Sequence, residues 1–98
     1  MKYYEFRDFI DRVKEETDIV QVIGKKISLS PNLKASCPFH DDKNPSFSVN
    51  AHGQYFHCFG CGVGGDVIKF VQLYEGKSFM EAVRELASEA GISVPFSS

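Results

Sequence analysis

Apolar positions return at helical spacing at both ends of this chain and at shorter, broken spacing in its middle. Phe6, Phe9, Ile10 and Val13 recur at intervals of three and four with charges between them, which predicts an amphipathic helix over residues 4–16. Thr17 or Asp18 offers a side-chain cap to a second short helix carrying Ile19, Val20 and Ile23, and Gly24 reads as its end. The period then changes. Ile27 and Leu29 alternate with Lys26, Ser28 and Ser30 as in a half-buried strand, and Ser30-Pro31-Asn32 is a turn. Pro38, Pro45 and Gly53 punctuate short extended pieces. Strands are expected over 46–49 and 54–57, with Asn50-Ala51-His52-Gly53 as their hairpin turn. Gly60, Gly62, Gly64 and Gly65 make residues 60–65 a flexible turn. Asp66 caps a helix with Val67, Phe70, Val71 and Tyr74 on one face, broken at Glu75-Gly76-Lys77. Ser78-Phe79-Met80-Glu81 is a capping box. It opens a helix with Phe79, Ala82, Val83, Leu86, Ala87 and Ala90 on one face, and Gly91 is the expected C-cap. The pattern predicts an α+β chain in one domain over residues 1–98. Helices are expected over about 4–24 and about 66–91, flanking a turn-rich antiparallel middle over about 26–65. Pro95-Phe96-Ser97-Ser98 reads as the start of a linker.

Composition adds one constraint. The chain has 98 residues, 43% hydrophobic and 24% charged. That is an ordinary globular balance, but a core of this size commonly needs a metal or disulfide staple. Three cysteines are an odd number, which argues against a closed disulfide framework and for thiolate metal ligands in a reducing cytoplasm. No apolar run approaches the roughly 20 residues of a membrane span. The start, Met1-Lys2-Tyr3-Tyr4-Glu5, leads into a charged segment with no apolar signal region.

The cysteines fall in a pattern. Cys37-Pro38-Phe39-His40 and Cys58-Phe59-Gly60-Cys61 each set two ligand-type side chains across a two-residue gap, which lets a tight turn present both to one ion. The 17 residues between the pairs suffice for a hairpin that brings the two knuckles together. Zn²⁺ takes such a Cys₃His set tetrahedrally, at about 2.3 Å to sulfur and about 2.0–2.1 Å to nitrogen. Glycines beside a knuckle let backbone N–H groups approach the sulfurs. The reading is one structural zinc ion. A redox Cys-x-x-Cys is the competing reading, but it is expected beside a βαβ pattern and leaves Cys37 and His40 unexplained. Iron also suits sulfur-rich tetrahedral sites. A catalytic zinc needs an open coordination position, and four ligands leave none. His52 and His57 compete with His40 as the fourth ligand. His57 adjoins Cys58, so a strand would turn its side chain to the opposite face, and His40 completes the symmetric spacing.

Charge bears on what the rest could bind. The formal net charge is −2, which does not announce a nucleic-acid binder. Its distribution is uneven. Residues 1–23 and 78–98 are each net acidic, whereas 24–77 carries Lys25, Lys26, Lys34, Lys43, Lys69 and Lys77 against Asp41, Asp42, Asp66 and Glu75. No acid lies between Gly24 and Cys37, so any nucleic-acid surface belongs there and is weak. Lys34 and Lys43 flank the first knuckle. Tyr55 and His57 share one face of the second strand, and Gln54 and Phe56 the other. A face with Tyr55, His57 and nearby lysines suits stacked bases and phosphates of a single strand. The plainer reading is that Tyr55 and Phe56 fill a small core and the lysines are solvated. Phe39, Phe47 and Phe59 are assigned to packing around the knuckles. No catalytic constellation is visible: the glycine run lacks the Lys-Ser/Thr of a phosphate loop, and Asp41-Asp42 reads as a solvated turn.

Cys37-Pro38-Phe39-His40, then Lys43-Asn44-Pro45-Ser46-Phe47, then Phe56-His57-Cys58-Phe59-Gly60-Cys61-Gly62 closely resemble the N-terminal zinc-binding domain of bacterial DNA primases (DnaG type, the CHC2 zinc finger). Residues 17–23 and 79–95 extend the resemblance over nearly the whole chain. It implies a zinc ribbon, an antiparallel sheet flanked by helices, that binds single-stranded DNA template and helps choose where RNA primers start. It implies a bacterial cytoplasmic setting. It also implies a partner, the primase RNA polymerase domain, which carries the nucleotidyl-transfer chemistry and is not in these residues, so this chain is expected to be non-catalytic alone. Cys37, His40, Cys58 and Cys61 match the family's ligands, and Lys43 and His57 match positions on its template side. Lys34 falls in the strand where the family carries basic and aromatic residues. The segment Leu29–Ser36 is shorter than usual in chromosomal primases and carries one lysine, and Asn44 stands where threonine is common. These departures predict weaker template binding and point to a mobile-element, phage-like or divergent chromosomal primase. A second reading is a zinc-ribbon interaction module that recruits a polymerase or replicative helicase, with DNA contact incidental.

Overall fold

Local helix caps and one long-range tie from Gln54 set much of the chain's course. The computed structural model describes residues 3–40 and 44–94. Asp41, Asp42, Lys43 and the expected linker at 95–98 lie outside the described residues. Helix α1, Tyr3–Glu15, buries Phe9 and Val13 from the expected stripe and leaves Phe6 and Ile10 half-buried. Of the two candidate caps for α2, Ile19–Lys26, it is Asp18 that acts, its carboxylate accepting the Val20 N–H at 3.1 Å. Helix α2 does not stop at Gly24. Gly24 lies in open space with no left-handed backbone demand, so nothing there forces an end, and Lys25 and Lys26 complement the dipole of the last turn.

The sheet differs from expectation at both edges. Ile27 and Leu29 form no strand. The chain reverses just after them, where Leu33 takes a left-handed φ of 62° and donates its N–H to the Ser30 carbonyl at 2.8 Å. Ile27 and Leu29 instead pack half-buried against the core. Strand β1 is only Lys34–Ala35, followed by β2, Phe47–Asn50, and β3, Tyr55–Cys58. The hairpin lies one residue later than expected because Gln54 belongs to its turn, at φ 57°. The Gln54 side chain explains that placement. Its Oε1 accepts the Ile19 N–H at 2.8 Å and its Nε2 donates to Ala51 O at 2.7 Å and Asp18 Oδ1 at 3.3 Å, tying the turn to the start of α2. The supposed flexible turn at 60–65 ends in a fourth strand, β4, Gly64–Gly65. It pairs with β3 closely enough that a Cβ on Gly64 would sit 2.9 Å from the Phe56 carbonyl oxygen, so glycine is what admits the pairing. The order is β1-β2-β3-β4, antiparallel throughout.

Strand alternation gives the sheet two faces. Phe47, Val49, Phe56 and Cys58 point inward and are buried, whereas Lys34, Ser48, Asn50, Tyr55 and His57 occupy the open face. The inner face meets α2 and α3, Val67–Glu75, and α4, Phe79–Ala90, packs behind them on α3 and α1. Asp66 caps α3 by accepting the Lys69 N–H at 2.9 Å, and the Ser78–Glu81 capping box opens α4 as expected. Gly91, at φ 74°, closes α4. Tyr74 and Phe79 leave their expected buried stripes. They sit at the elbow between α3 and α4, beyond the edge of the core, where the Tyr74 hydroxyl donates to the Lys26 carbonyl at 3.2 Å. The whole is the expected α+β fold, helices flanking a small antiparallel sheet. Among the described residues no helix is long and apolar enough to cross a membrane.

Candidate metal centre and open sheet face

Pairing register brings the two knuckles together. Ala35, Phe47 and Cys58 lie opposite one another in one row of the inner face. Cys37 is two residues beyond Ala35 and comes alongside Cys58. The second knuckle turns back after Cys58, where Gly62 at φ 81° donates its N–H to the Cys58 carbonyl at 2.8 Å and Cys58 donates its own to Val63 O at 2.8 Å. That left-handed residue is where the turn requires glycine.

The ligand-type atoms of Cys37, His40, Cys58 and Cys61 all lie within 4.8 Å of one another. Cys37 Sγ is 4.0 Å from Cys61 Sγ, and His40 Nε2 is 3.2 Å from Cys58 Sγ. A tetrahedron with zinc–ligand bonds of about 2.0–2.3 Å has edges of about 3.5–3.8 Å, so the donor set and its spacing fit one zinc ion. Cys37 and Cys58 are buried, His40 is half-buried and Cys61 is exposed. The electrostatics of the two buried thiols diverge. Burial, reinforced by the neighbouring Cys58 and Cys61, pushes the Cys37 thiol up to about 11. Burial also works against the Cys58 thiolate, but the His40 ring and the backbone N–H groups of Cys61 and Gly60 outweigh it and bring Cys58 down to about 6. N–H groups of a glycine-containing knuckle aimed at sulfur are the expected support for a metal thiolate.

His52 and His57 are not part of this cluster. His52 is exposed in the hairpin turn, and His57 faces away from Cys58 on the open face. Lys34, Ser48, His57 and Gly64 form one continuous row across all four strands. Tyr55 shares that face and is exposed, its hydroxyl accepting from Asn50 Nδ2 at 3.1 Å, while Phe56 alone enters the core. Phe47 is buried and Phe39 is packed against the core, as assigned, but Phe59 is not. It is 75% exposed, its ring edge-to-face with His57 at 4.6 Å. Alternation after Tyr55 and His57 was the sequence signal for its exposure.

Residues 5–98 match the family model described as the CHC2 zinc finger. The chain belongs to the CHC2 zinc-finger family. This CHC2 chain is 48% identical over 91 residues to the DNA primase of Thermotoga maritima, covering 90% of this chain and 16% of that protein. It is 52% identical over 85 residues to the DNA primase of Aquifex aeolicus (84% of this chain, 17% of that protein). With the DNA primase of Escherichia coli the identity is 44% over 93 residues (92% and 16%). The CHC2 chain therefore spans at most 17% of the length of these three relatives. The crystal structure of the Aquifex aeolicus primase, comprising its zinc-binding and RNA polymerase domains, superposes with a TM-score of 0.83 at 48% identity, covering 88% of this chain and 22% of that one. Fold, cluster and likeness together make the chain a zinc-binding domain of the DNA primase kind, with four Cys/His residues positioned for one zinc ion.

Proposed function

We propose that this CHC2 domain is the template-binding part of a primase that makes RNA primers for DNA replication. Cys37, His40, Cys58 and Cys61 hold one structural zinc ion. Single-stranded DNA lies across the open sheet face at Lys34, Tyr55 and His57, joined by Lys43 from the Lys-x-Pro-Ser-Phe run. A primase RNA polymerase domain supplies the nucleotidyl transfer, and a replicative helicase is a further candidate partner.

The observation that carries this reading is the four-strand row of Lys34, Ser48, His57 and Gly64. A cation, a hydroxyl, an aromatic ring and bare backbone stand in line on a face that the core does not use. Extended single strands are bound by such combinations of positive charge and stacking surface. The net charge of −2 makes the binding weak and dependent on local lysines.

Anisotropy titration of a fluorescein-labelled mixed-sequence 16-mer tests this at several salt concentrations. The zinc-loaded chain is expected to bind with an affinity that falls as salt rises. Lys34→Ala is expected to weaken binding to all sequences alike and to flatten the log–log salt slope by about 0.7–1, the loss of one phosphate contact. Absence of binding at high micromolar zinc-loaded protein contradicts template binding. With stable capture of a polymerase domain or helicase, that absence would favour an interaction module instead.

A further inference from the structure

Phe59 is the most exposed of the large apolar side chains among the described residues, yet its backbone is tied to the neighbouring chain. It sits between two members of the metal cluster, Cys58 and Cys61, and its N–H donates to the Ser46 carbonyl at 2.9 Å. Its ring meets His57 at 71°, edge to face, and three-quarters of the residue stays in water. A lone exposed phenylalanine needs no explanation. This one is not alone: one residue past β3, its ring packs on that of His57, which shares the open face with Tyr55 and Lys34. A ring held out by a fixed backbone loses little freedom when something covers it.

We infer that Phe59 and His57 form a stacking site for one unpaired nucleobase, with the zinc knuckle fixing the Phe59 ring beside the phosphate-binding row. This rests on the template-binding reading and names a residue that reading does not use. The occupant is a base of single-stranded DNA rather than an apolar side chain of a protein. The other groups of the same sheet face are the Lys34 ammonium, the Ser48 hydroxyl, the Asn50 amide and the His57 ring, which match a phosphodiester strand better than an apolar peptide. Every base offers a π-face, so the site contributes affinity without strict sequence choice. Phosphate contact belongs to Lys34, so stacking at Phe59 adds nothing to the salt slope.

The test is the same 16-mer titration with Phe59→Ala, Phe59→Leu and Phe59→Tyr, each first shown to keep one zinc per chain and the parent melting temperature. A second oligonucleotide carries 2-aminopurine, whose fluorescence is quenched on stacking. Phe59→Ala and Phe59→Leu are expected to weaken binding roughly tenfold or more, with the salt slope unchanged and the quench lost. Phe59→Tyr is expected to stay within about threefold of the parent. If the parent chain binds DNA and Phe59→Leu binds as tightly, with the quench intact, the stacking site is overturned while template binding stands. Should the parent not bind at all, both readings fall. If Phe59→Ala disturbs the knuckle, the Leu and Tyr chains still decide the matter.

Discussion

Stripped of zinc by a strong chelator, or carrying Cys58→Ala, the chain is expected to lose the cooperative unfolding of its sheet. Two of the four strands are two residues long, and the central hairpin has four residues a side. A hairpin of that size is marginal in water on its own. What holds it is the row from Ala35 through Phe47 to Cys58, which ends at the metal cluster. Binding of structural zinc is typically worth about 10–16 kcal/mol in isolated fingers, as much as the whole stability of a domain of this size, about 5–15 kcal/mol. Its loss also leaves Cys37 and Cys58, 5% and 0% exposed, without the ion that neutralises thiolates inside the core. Thermal melts followed by circular dichroism, with amide exchange of residues 47–58, measure the effect. A loss of even 3 kcal/mol lowers the midpoint by about 12–24 °C in a chain of this length. A metal-free chain that melts where the zinc-loaded chain does contradicts the staple.

Phe70→Ala is expected to destabilise the zinc-loaded chain by about 3–5 kcal/mol, the usual cost of emptying a buried phenylalanine site. Phe70 is fully buried and joins the α3 helix to the ribbon. Its ring lies 5.7 Å from those of Phe39 and Phe56, 6.3 Å from Phe47 and 5.3 Å from Tyr74. Phe39 comes from the first knuckle, Phe47 from β2 and Phe56 from β3, so Phe70 joins the helix to both knuckle and sheet. Around it the cluster cannot collapse easily, because Phe47 and Phe56 are stacked on each other at 5.6 Å. Urea unfolding in excess zinc should show a lower midpoint with an unchanged slope, and Phe70→Leu should recover most of the loss. A change under 1 kcal/mol in Phe70→Ala would mean that α3 is held to the ribbon by something else.

What was legible in the sequence is what is decided locally. Asp66, Ser78 with Glu81, and Gly91 cap their helices as expected, because a cap is satisfied by residues within one turn. The two knuckles are local as well, and their equal spacing marked His40 over His52 and His57 before any geometry did. The misplaced elements are those fixed by distant partners. Gln54 is drawn out of β3 by the start of α2, thirty-five residues away in sequence. β4 exists only because β3 lies beside two glycines that look, in sequence, like a loop. The Ile27–Leu29 alternation has the period of a strand but no neighbour to pair with. The residue type of Phe59 favours burial, whereas the knuckle backbone turns it outward.

Zinc K-edge X-ray absorption on the purified chain, with its metal content, tests the central claim most directly. The four-residue centre predicts one zinc per chain, with three sulfurs at about 2.3 Å and one nitrogen at about 2.0–2.1 Å. Two sulfurs or fewer, an oxygen bound to the metal, or much less than one zinc per chain would contradict it.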